Sequence, residues 1–336
     1  VIAAPAATAP RVSRAGRSVA RLARASVAAA AFAVAPSAWS QDAAALLARA
    51  AEAARTQNYV GTIVFQTGNA TETSRIVHAY DKGEEFEKLV NLDGPAREVI
   101  RQKGEVRCYY PDSKTVRVEP RTFRNAFPSL SPQQLTSLGQ FYTVRKGAAT
   151  RVAGREAQGW KFVPKDAYRY AHEFWTDAAT GMLLKARTLD ERGEAVEQFA
   201  FLDLSLGVAI DAELAKPTWS GTPADWRERR GKMTGAVASE TGWTVSKLPP
   251  GFAKIMEGTR APREGRASIV QLVYSDGLIA VSVFVEPRGG DRRFVGRARQ
   301  GGLNQYTVKV DDYVVTALGE APAETIRQIA QAVVRR

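Results

Sequence analysis

The 336-residue chain has one cysteine, Cys108, and two histidines, His78 and His172. A lone thiol excludes an internal disulfide, so folding rests on burial, and the length suffices for one large core or two ordinary ones. So few Cys and His leave no HExxH pair and no Cys/His cluster from which to build a metal centre. No GxSxG nucleophile elbow occurs. Gly154 and Gly159 have the spacing of a phosphate loop, but Trp160-Lys161 stands where Lys-Ser/Thr is required. Also missing is any apolar run of the roughly 20 residues that crossing a bilayer needs. Cys108 alternates with Val106 and Tyr110, which places it on one face of a strand as a small hydrophobe. His172 lies among aromatics and reads as a packed core histidine. Neither catalysis nor a cofactor is expected.

What the chain does have begins with a export-type leader. Residues 1–40 carry Arg11, Arg14, Arg17, Arg21 and Arg24 and no acid, followed by SVAAAAFAVAP and the small residues of Ser37-Ala38-Trp39-Ser40. A basic stretch, a short apolar block and small residues at −3 and −1 predict a signal peptide cleaved after Ser40, and hence an exported, soluble product. Removing those five of the 47 basic residues leaves 42 against 35 acidic, a formal charge of about +7. The remaining basic residues are scattered rather than striped. That argues against nucleic acid and fits either anionic lipid, an acidic peptide or simple solubility.

Strand signals fill the remainder. YRYAHEFWTD, MLLKARTLD and EAVEQFAFLDL, separated by AATG and ERG, read as three strands with Gly181 and Gly193 at the turns. Their faces mix apolar and polar residues, which fits a broad curved sheet lining a cavity, or a sheet covered by helices, better than a strand over an ordinary core, and a curved sheet suits binding. YVGTIVFQTG, SRIVHAYDKG and the hairpin EVRCYYPDSKTVRVEP precede them, after a helix bearing Leu46, Leu47, Ala50 and Ala54. Between lies FRNAFPSLSPQQLTSLGQFYTV, where Ser131-Pro132-Gln133-Gln134 predicts a helix start. This apolar segment reads either as a lid over a lipid site or as a cover helix packed on the core. Lys216-Pro217, Gly221, Pro223 and WRERRGK mark a linker. Beyond it, SIVQLVYSDGLIAVSVFVE and YTVKVDDYVVTAL are hairpins, and Ile326, Ile329, Ala330 and Val333 recur at helical spacing. The resulting layout is a signal peptide over 1–40, a first domain over 41–214, a linker over 215–239 and a small C-terminal domain over 240–336.

LDGPAREV, FPSL, VPKDAYRYAHEFWTDAATGMLLKARTLD, GEAVEQFAF, LPPGF, LVYSDGLIAVSVFVE and VTALGEAP occur in that order from Leu92 to Pro322. In these segments the chain resembles the RseB/MucB family of sigma-E regulators; residues 1–40 carry none of the likeness. The resemblance implies a mainly β, α+β fold: a large unclosed β-barrel with covering helices, similar to LolA and LolB, plus a small antiparallel sheet-and-helix domain. It also implies a periplasmic regulator that binds an RseA/MucA-type anti-sigma factor, shields it from proteolysis and is released by lipopolysaccharide. The family defines no catalytic residues. A lipid or lipoprotein carrier, and an envelope hydrolase using a carboxylate pair, are the rival readings, and homo-oligomerisation is left open.

The lipid reading names Phe123, Phe127, Leu130, Leu138 and Phe141 as an apolar lip and Arg121, Arg124 and Arg145 as cations for phosphates. The partner reading names the hairpin face with Tyr274, Asp276, Gly277, Leu278 and Phe284, on a small sheet expected to offer an edge.

Overall fold

The computed structural model describes residues 38–120, 138–219, 223–230, 233–234, 240–260, 268–289 and 295–336. The expected export signal lies outside them except for its last three residues, which open helix α1 (Ala38–Thr56). Six strands follow: β1 (Tyr59–Thr67), β2 (Ala70–Asp81), β3 (Glu84–Asn91), β4 (Glu98–Gln102), β5 (Glu105–Tyr110) and β6 (Thr115–Pro120). After helical residues 138–141 come β7 (Tyr142–Val152), β8 (Arg155–Pro164), β9 (Ala171–Asp177), β10 (Leu183–Leu189) and β11 (Ala195–Leu206). A short helix α2 (Ala212–Ala215) leads to β12 (Arg227–Arg230).

Among the described residues these twelve strands form one sheet, ordered β12-β6-β5-β4-β3-β2-β1-β11-β10-β9-β8-β7. Its two ends, β12 and β7, do not pair with each other, so the sheet is unclosed. The turns follow the sequence signals: Gly181 and Gly193 take φ of 81° and 80°, and Pro111–Ser113 forms a single 3-10 turn ended by Lys114 at φ 45°. Gly154 likewise sits at φ 73° in the β7–β8 turn, where its conformational freedom serves a hairpin rather than a phosphate.

Alternation gives the sheet two differently covered faces. On one, α1 packs Leu47 among Tyr142, Val144, Phe162 and Phe174, and Ala53 among Tyr59, Ile76, Phe201 and Leu204. Cross-strand register continues that face through Leu89 and Val99 to Cys108, which is half-buried and whose thiol pKa burial pushes up. On the other face Ile100, Tyr109, Val116 and Val118 meet Trp219 and Trp226. Trp219 stacks on Tyr109 at 5.9 Å, and Thr218 donates its backbone N–H to the buried Glu98 carboxylate at 3.0 Å. The stretch read as linker is therefore, in its described part, bound to the large sheet. It then adds β12 in parallel to β6, Arg229 opposite Arg117. Its tryptophans, half-buried and packed on Tyr109, explain why low periodicity did not mean a free segment.

The remaining strands are β13 (Met233–Thr234), β14 (Trp243–Val245), β15 (Ala253–Arg260), β16 (Ile269–Ser275), β17 (Ala280–Pro287), β18 (Gly296–Gln300), β19 (Leu303–Val310) and β20 (Tyr313–Gly319). Helix α3 (Ala323–Gln331) and β21 (Val333–Arg335) close the chain. Seven of these form a second sheet, β13-β15-β16-β17-β20-β19-β18, while β14 pairs with β21. Ile326, Ile329 and Ala330 are wholly buried against Leu272, Tyr274, Val281, Val283 and Val315, as helical spacing predicted. Both sheets belong to one compact unit, residues 37–336.

Candidate functional site at the seam between the two sheets

The loop before β9 and the turn between β16 and β17 meet in a buried polar joint. In the loop, the Asp166 carboxylate accepts from the Tyr168 backbone N–H and from Arg169 Nε, both at 3.0 Å, which leaves the two Nη groups for the opposite sheet. In the turn, Gly277 takes φ of 107°, and Ser275 Oγ accepts from the Gly277 N–H at 2.9 Å while donating to the Ile279 carbonyl at 2.7 Å. Asp276 Oδ1 accepts from the Leu278 and Ile279 N–H groups at 3.0 Å. The turn thus uses one carboxylate oxygen and leaves the other, Oδ2, for the opposite sheet.

That oxygen accepts from Arg169 Nη1 at 2.8 Å and from the Tyr142 hydroxyl at 3.1 Å. Arg169 Nη2 donates to the Pro250 carbonyl, and the guanidinium lies over the rings of Phe141, Phe252 and Tyr142 at 4.8, 5.4 and 5.6 Å. Neither charged side chain reaches solvent. Burial raises the Asp276 pKa despite the facing arginine, and raises that of Tyr142 well above the ordinary phenol value. Leu278, next in the turn, enters the apolar cluster of Leu47, Leu138, Tyr142, Phe162 and Phe174.

A second group of contacts lies along the same seam. Asn304 Nδ2 donates to the Tyr170 hydroxyl at 2.9 Å and to the Ala321 carbonyl at 2.8 Å. Thr325 Oγ1 donates to the Tyr168 carbonyl at 3.0 Å, and Arg299 faces Asp190 at 3.8 Å. His172 is buried nearby with Thr188 Oγ1 3.3 Å from its Nδ1, and burial alone lowers its pKa to about 3. It is a neutral core histidine. The joint supplies fixed orientation, not an activated nucleophile or a proton-transfer pair open to a substrate.

The expected partner face requires correction on this point. Tyr274 and Asp276 are each 1 % exposed and Leu278 6 %, Gly277 is buried, and Phe284 is half-buried. Tyr274 packs under α3 and its hydroxyl accepts the Val245 N–H at 3.1 Å. The hairpin is consumed by its own core and by the seam, because its β-branched runs face a helix on one side and its turn faces the large sheet. Nor are β16, β17, β19 and β20 edges of the small sheet; among the described residues its ends are β13 and β18.

Of the expected lipid set, Arg121, Phe123, Arg124, Phe127 and Leu130 lie outside the described residues. Leu138 is wholly buried beside Leu47, Phe141 is half-buried over Arg169, and Arg145 is exposed on β7. The structure therefore brings Leu138 and Phe141 to the seam and leaves Arg145 on an edge strand. Sequence reasoning missed Tyr142, Arg169 and Asn304. A usable signal existed: an arginine between two tyrosines in YRYAHEFW, and an aspartate inside the otherwise apolar LVYSDGLIAV.

Comparison with known proteins covers both sheets. The MucB/RseB N-terminal domain description matches residues 42–219 and the MucB/RseB C-terminal domain description matches residues 237–334. The sigma factor AlgU regulatory protein MucB of Pseudomonas aeruginosa is 32% identical over 302 residues, 88% of this chain and 92% of that protein. The sigma-E factor regulatory protein RseB of Salmonella typhimurium is 27% identical over 290 residues, 86% of this chain and 89% of its own. A crystal structure of MucB in complex with MucA(peri) aligns at a TM-score of 0.68 and 28% identity, covering 88% of this chain and 99% of that one. The chain belongs to the MucB/RseB family.

Proposed function

We propose that the protein is a periplasmic negative regulator that binds the periplasmic region of an RseA/MucA-type anti-sigma factor and shields it from regulated proteolysis. The observation that carries this reading is the match to MucB solved with MucA(peri), which extends over both sheets and the seam rather than over one of them. The regulatory names of the relatives and the buried, purely structural use of its ionisable seam residues favour a binding protein over an enzyme. Among the described residues no helix is long and apolar enough to cross a membrane.

For the partner we favour the β18 edge of the small sheet. Arg297 to Gln300 are exposed there, and an extended segment adds to such an edge by main-chain pairing. Tyr274, Asp276, Gly277, Leu278 and Phe284 then serve recognition by holding the small sheet and the seam in place. Release by lipopolysaccharide or a related anionic lipid is proposed with it, through the apolar residues around 123–141 and the arginines Arg121, Arg124 and Arg145.

The test uses the whole exported protein and the periplasmic segment of the anti-sigma factor of the same organism. Calorimetry should show saturable binding, and added protein should slow cleavage of that segment by its site-1 protease. Lipopolysaccharide should reverse both effects. Absence of binding, or binding without protection, would overturn the reading.

A further inference from the structure

We propose that the face of strands β7 to β10 turned away from helix α1 is an electrostatic docking surface for an anionic phospholipid bilayer. Leu47 of α1 packs on Val144, Phe162 and Phe174, so the alternate residues of these strands lie on the opposite face. Ladder register sets four of them in a row: Arg145 opposite Lys161, Lys161 opposite Glu173, and Glu173 opposite Arg187. Lys185, two residues before Arg187 and level with Trp175, stands on the same face. Arg145, Lys161, Lys185 and Arg187 thus share the Glu173 carboxylate, an excess of three positive charges. The row continues into β11 and β1 as Gln198 and Gln66, which bring no further acid.

Depth decides which sign meets solvent. The Glu173 side chain is 21% exposed, whereas Arg187 and Lys161 beside it are 35% and 48% exposed and approach it only to 3.4 and 3.5 Å. The acid lies beneath its partners, and the outermost layer is positive. Lys185 is held in that layer by Trp175, with its Nζ 4.9 Å from the ring centroid. The indole has room because residue 159 is glycine; a Cβ there would stand 3.3 Å from the Trp175 Nε1. Burial first, and Arg187 second, lower the Lys185 pKa, so an anion arriving above both cations relieves their repulsion.

The arrangement favours a plane of head groups over an acidic peptide. Neighbouring strands lie about 4.8 Å apart, so the row spans roughly 14 Å across the sheet, with Lys185 one level along it. An extended peptide needs a groove, or a sheet edge along which to pair its main chain, and this row runs across the strands instead. Each net cation near an anionic surface is worth about fivefold in binding, so an excess of three gives on the order of a hundredfold without burying an acyl chain. The surface is therefore distinct from the apolar residues around 123–141, and its use does not depend on the anti-sigma partner.

Co-sedimentation of the whole exported chain with mixed phosphatidylglycerol–phosphatidylcholine vesicles, and with phosphatidylcholine vesicles alone, tests it, with far-UV circular dichroism as the check on folding. We expect binding to the anionic vesicles only, lost at about 0.5 M salt, where the screening length falls to about 4 Å. The triple change Lys161→Gln, Lys185→Gln and Arg187→Gln should weaken that binding by roughly a hundredfold. Lys82→Gln, Lys103→Gln and Lys309→Gln together remove the same charge from exposed positions elsewhere and should leave it nearly unchanged. Should the first variant fail to fold, Arg145→Gln with Lys161→Gln carries the comparison and should weaken binding by more than tenfold, about fivefold for each cation. No binding to anionic vesicles, equal binding to neutral ones, or equal loss in the two triple variants would overturn the proposal. Capture of soluble polyglutamate but not of vesicles would also overturn it, and would give the face to an acidic protein segment.

Discussion

Arg169 and Asp276, 107 residues apart in sequence, face each other at 2.8 Å with neither side chain exposed. One comes from the loop before β9 and the other from the β16–β17 turn, so a fully buried ion pair ties the large sheet to the small one. Removing one member of such a pair leaves the other charge buried and unpaired, which typically costs roughly 3–5 kcal/mol. Arg169→Ala should lower the urea midpoint accordingly, and the double change Arg169→Met with Asp276→Leu should recover part of the loss. If Arg169→Ala shifts unfolding by less than about 1 kcal/mol, the joint is not a stabilising element.

Glycine at 251 is required by its neighbours as well as by its backbone. It holds φ at 83°, and a Cβ there would lie 2.6 Å from the Phe141 ring that stacks on Arg169. Gly104 has a similar φ of 74° but open space around it. Alanine at 104 should cost about 1–2 kcal/mol from the left-handed conformation alone. Alanine at 251 should cost clearly more, because the ring must also move. Equal losses in parallel denaturation curves would show that the Phe141 contact is slack.

The neutral state of His172 carries a pH signature of its own. Its pKa is about 3 in the fold against an ordinary 6.5, so the unfolded chain binds the extra proton first. Stability is therefore retained above 6.5 and lost as pH falls toward about 3, by up to about 1.4 kcal/mol per unit. Its Nε2 has no hydrogen-bond partner, so His172→Leu gives up little and should flatten the acid limb of the stability curve. An unchanged acid limb in that variant would place the proton uptake elsewhere.

Ending the chain after Ser239 should uncover the faces that the second sheet covers. Tyr142 loses Asp276, Arg169 loses Asp276 and Pro250, and the apolar cluster of Leu47 and Phe174 loses Leu278. The truncated chain should bind a hydrophobic dye more strongly than the whole one, by severalfold in fluorescence. It should also fail to protect the anti-sigma segment. Protection equal to that of the intact protein would assign recognition to the large sheet instead.

Local patterns made some elements legible and left others hidden. The β16–β17 and β19–β20 hairpins stood out because β-branched runs flank Asp-Gly and Asp-Asp turns, and α3 because Ile326 and Ile329 recur on one face. Strand β3, EEFEKLVN, gave no such signal, since almost every residue is half-buried and charges pair across strands. Strand β7 hid for a different reason: as an edge it exposes Lys146 through Arg151. The seam was harder still. Tyr274 and Leu278 looked like contact residues because apolarity does not say which surface is covered. The role of Asp276 depends on Arg169, whose distance along the chain no local window spans.

The pairing of β1 with β11 bears on how the protein folds. Strands β1 to β6 are joined neighbour to neighbour by short connections, and so are β7 to β11. Among the described strands, the two meanders meet through one ladder, in which Tyr59 stands opposite Leu206. Each meander can form early from nearby pieces, whereas that ladder must close a loop of well over a hundred residues and is therefore the slow, rate-setting event. A chain folding before its C-terminal half is available would carry β1 as a bare hydrophobic edge until β11 arrived. The period of greatest risk from aggregation falls before that ladder closes.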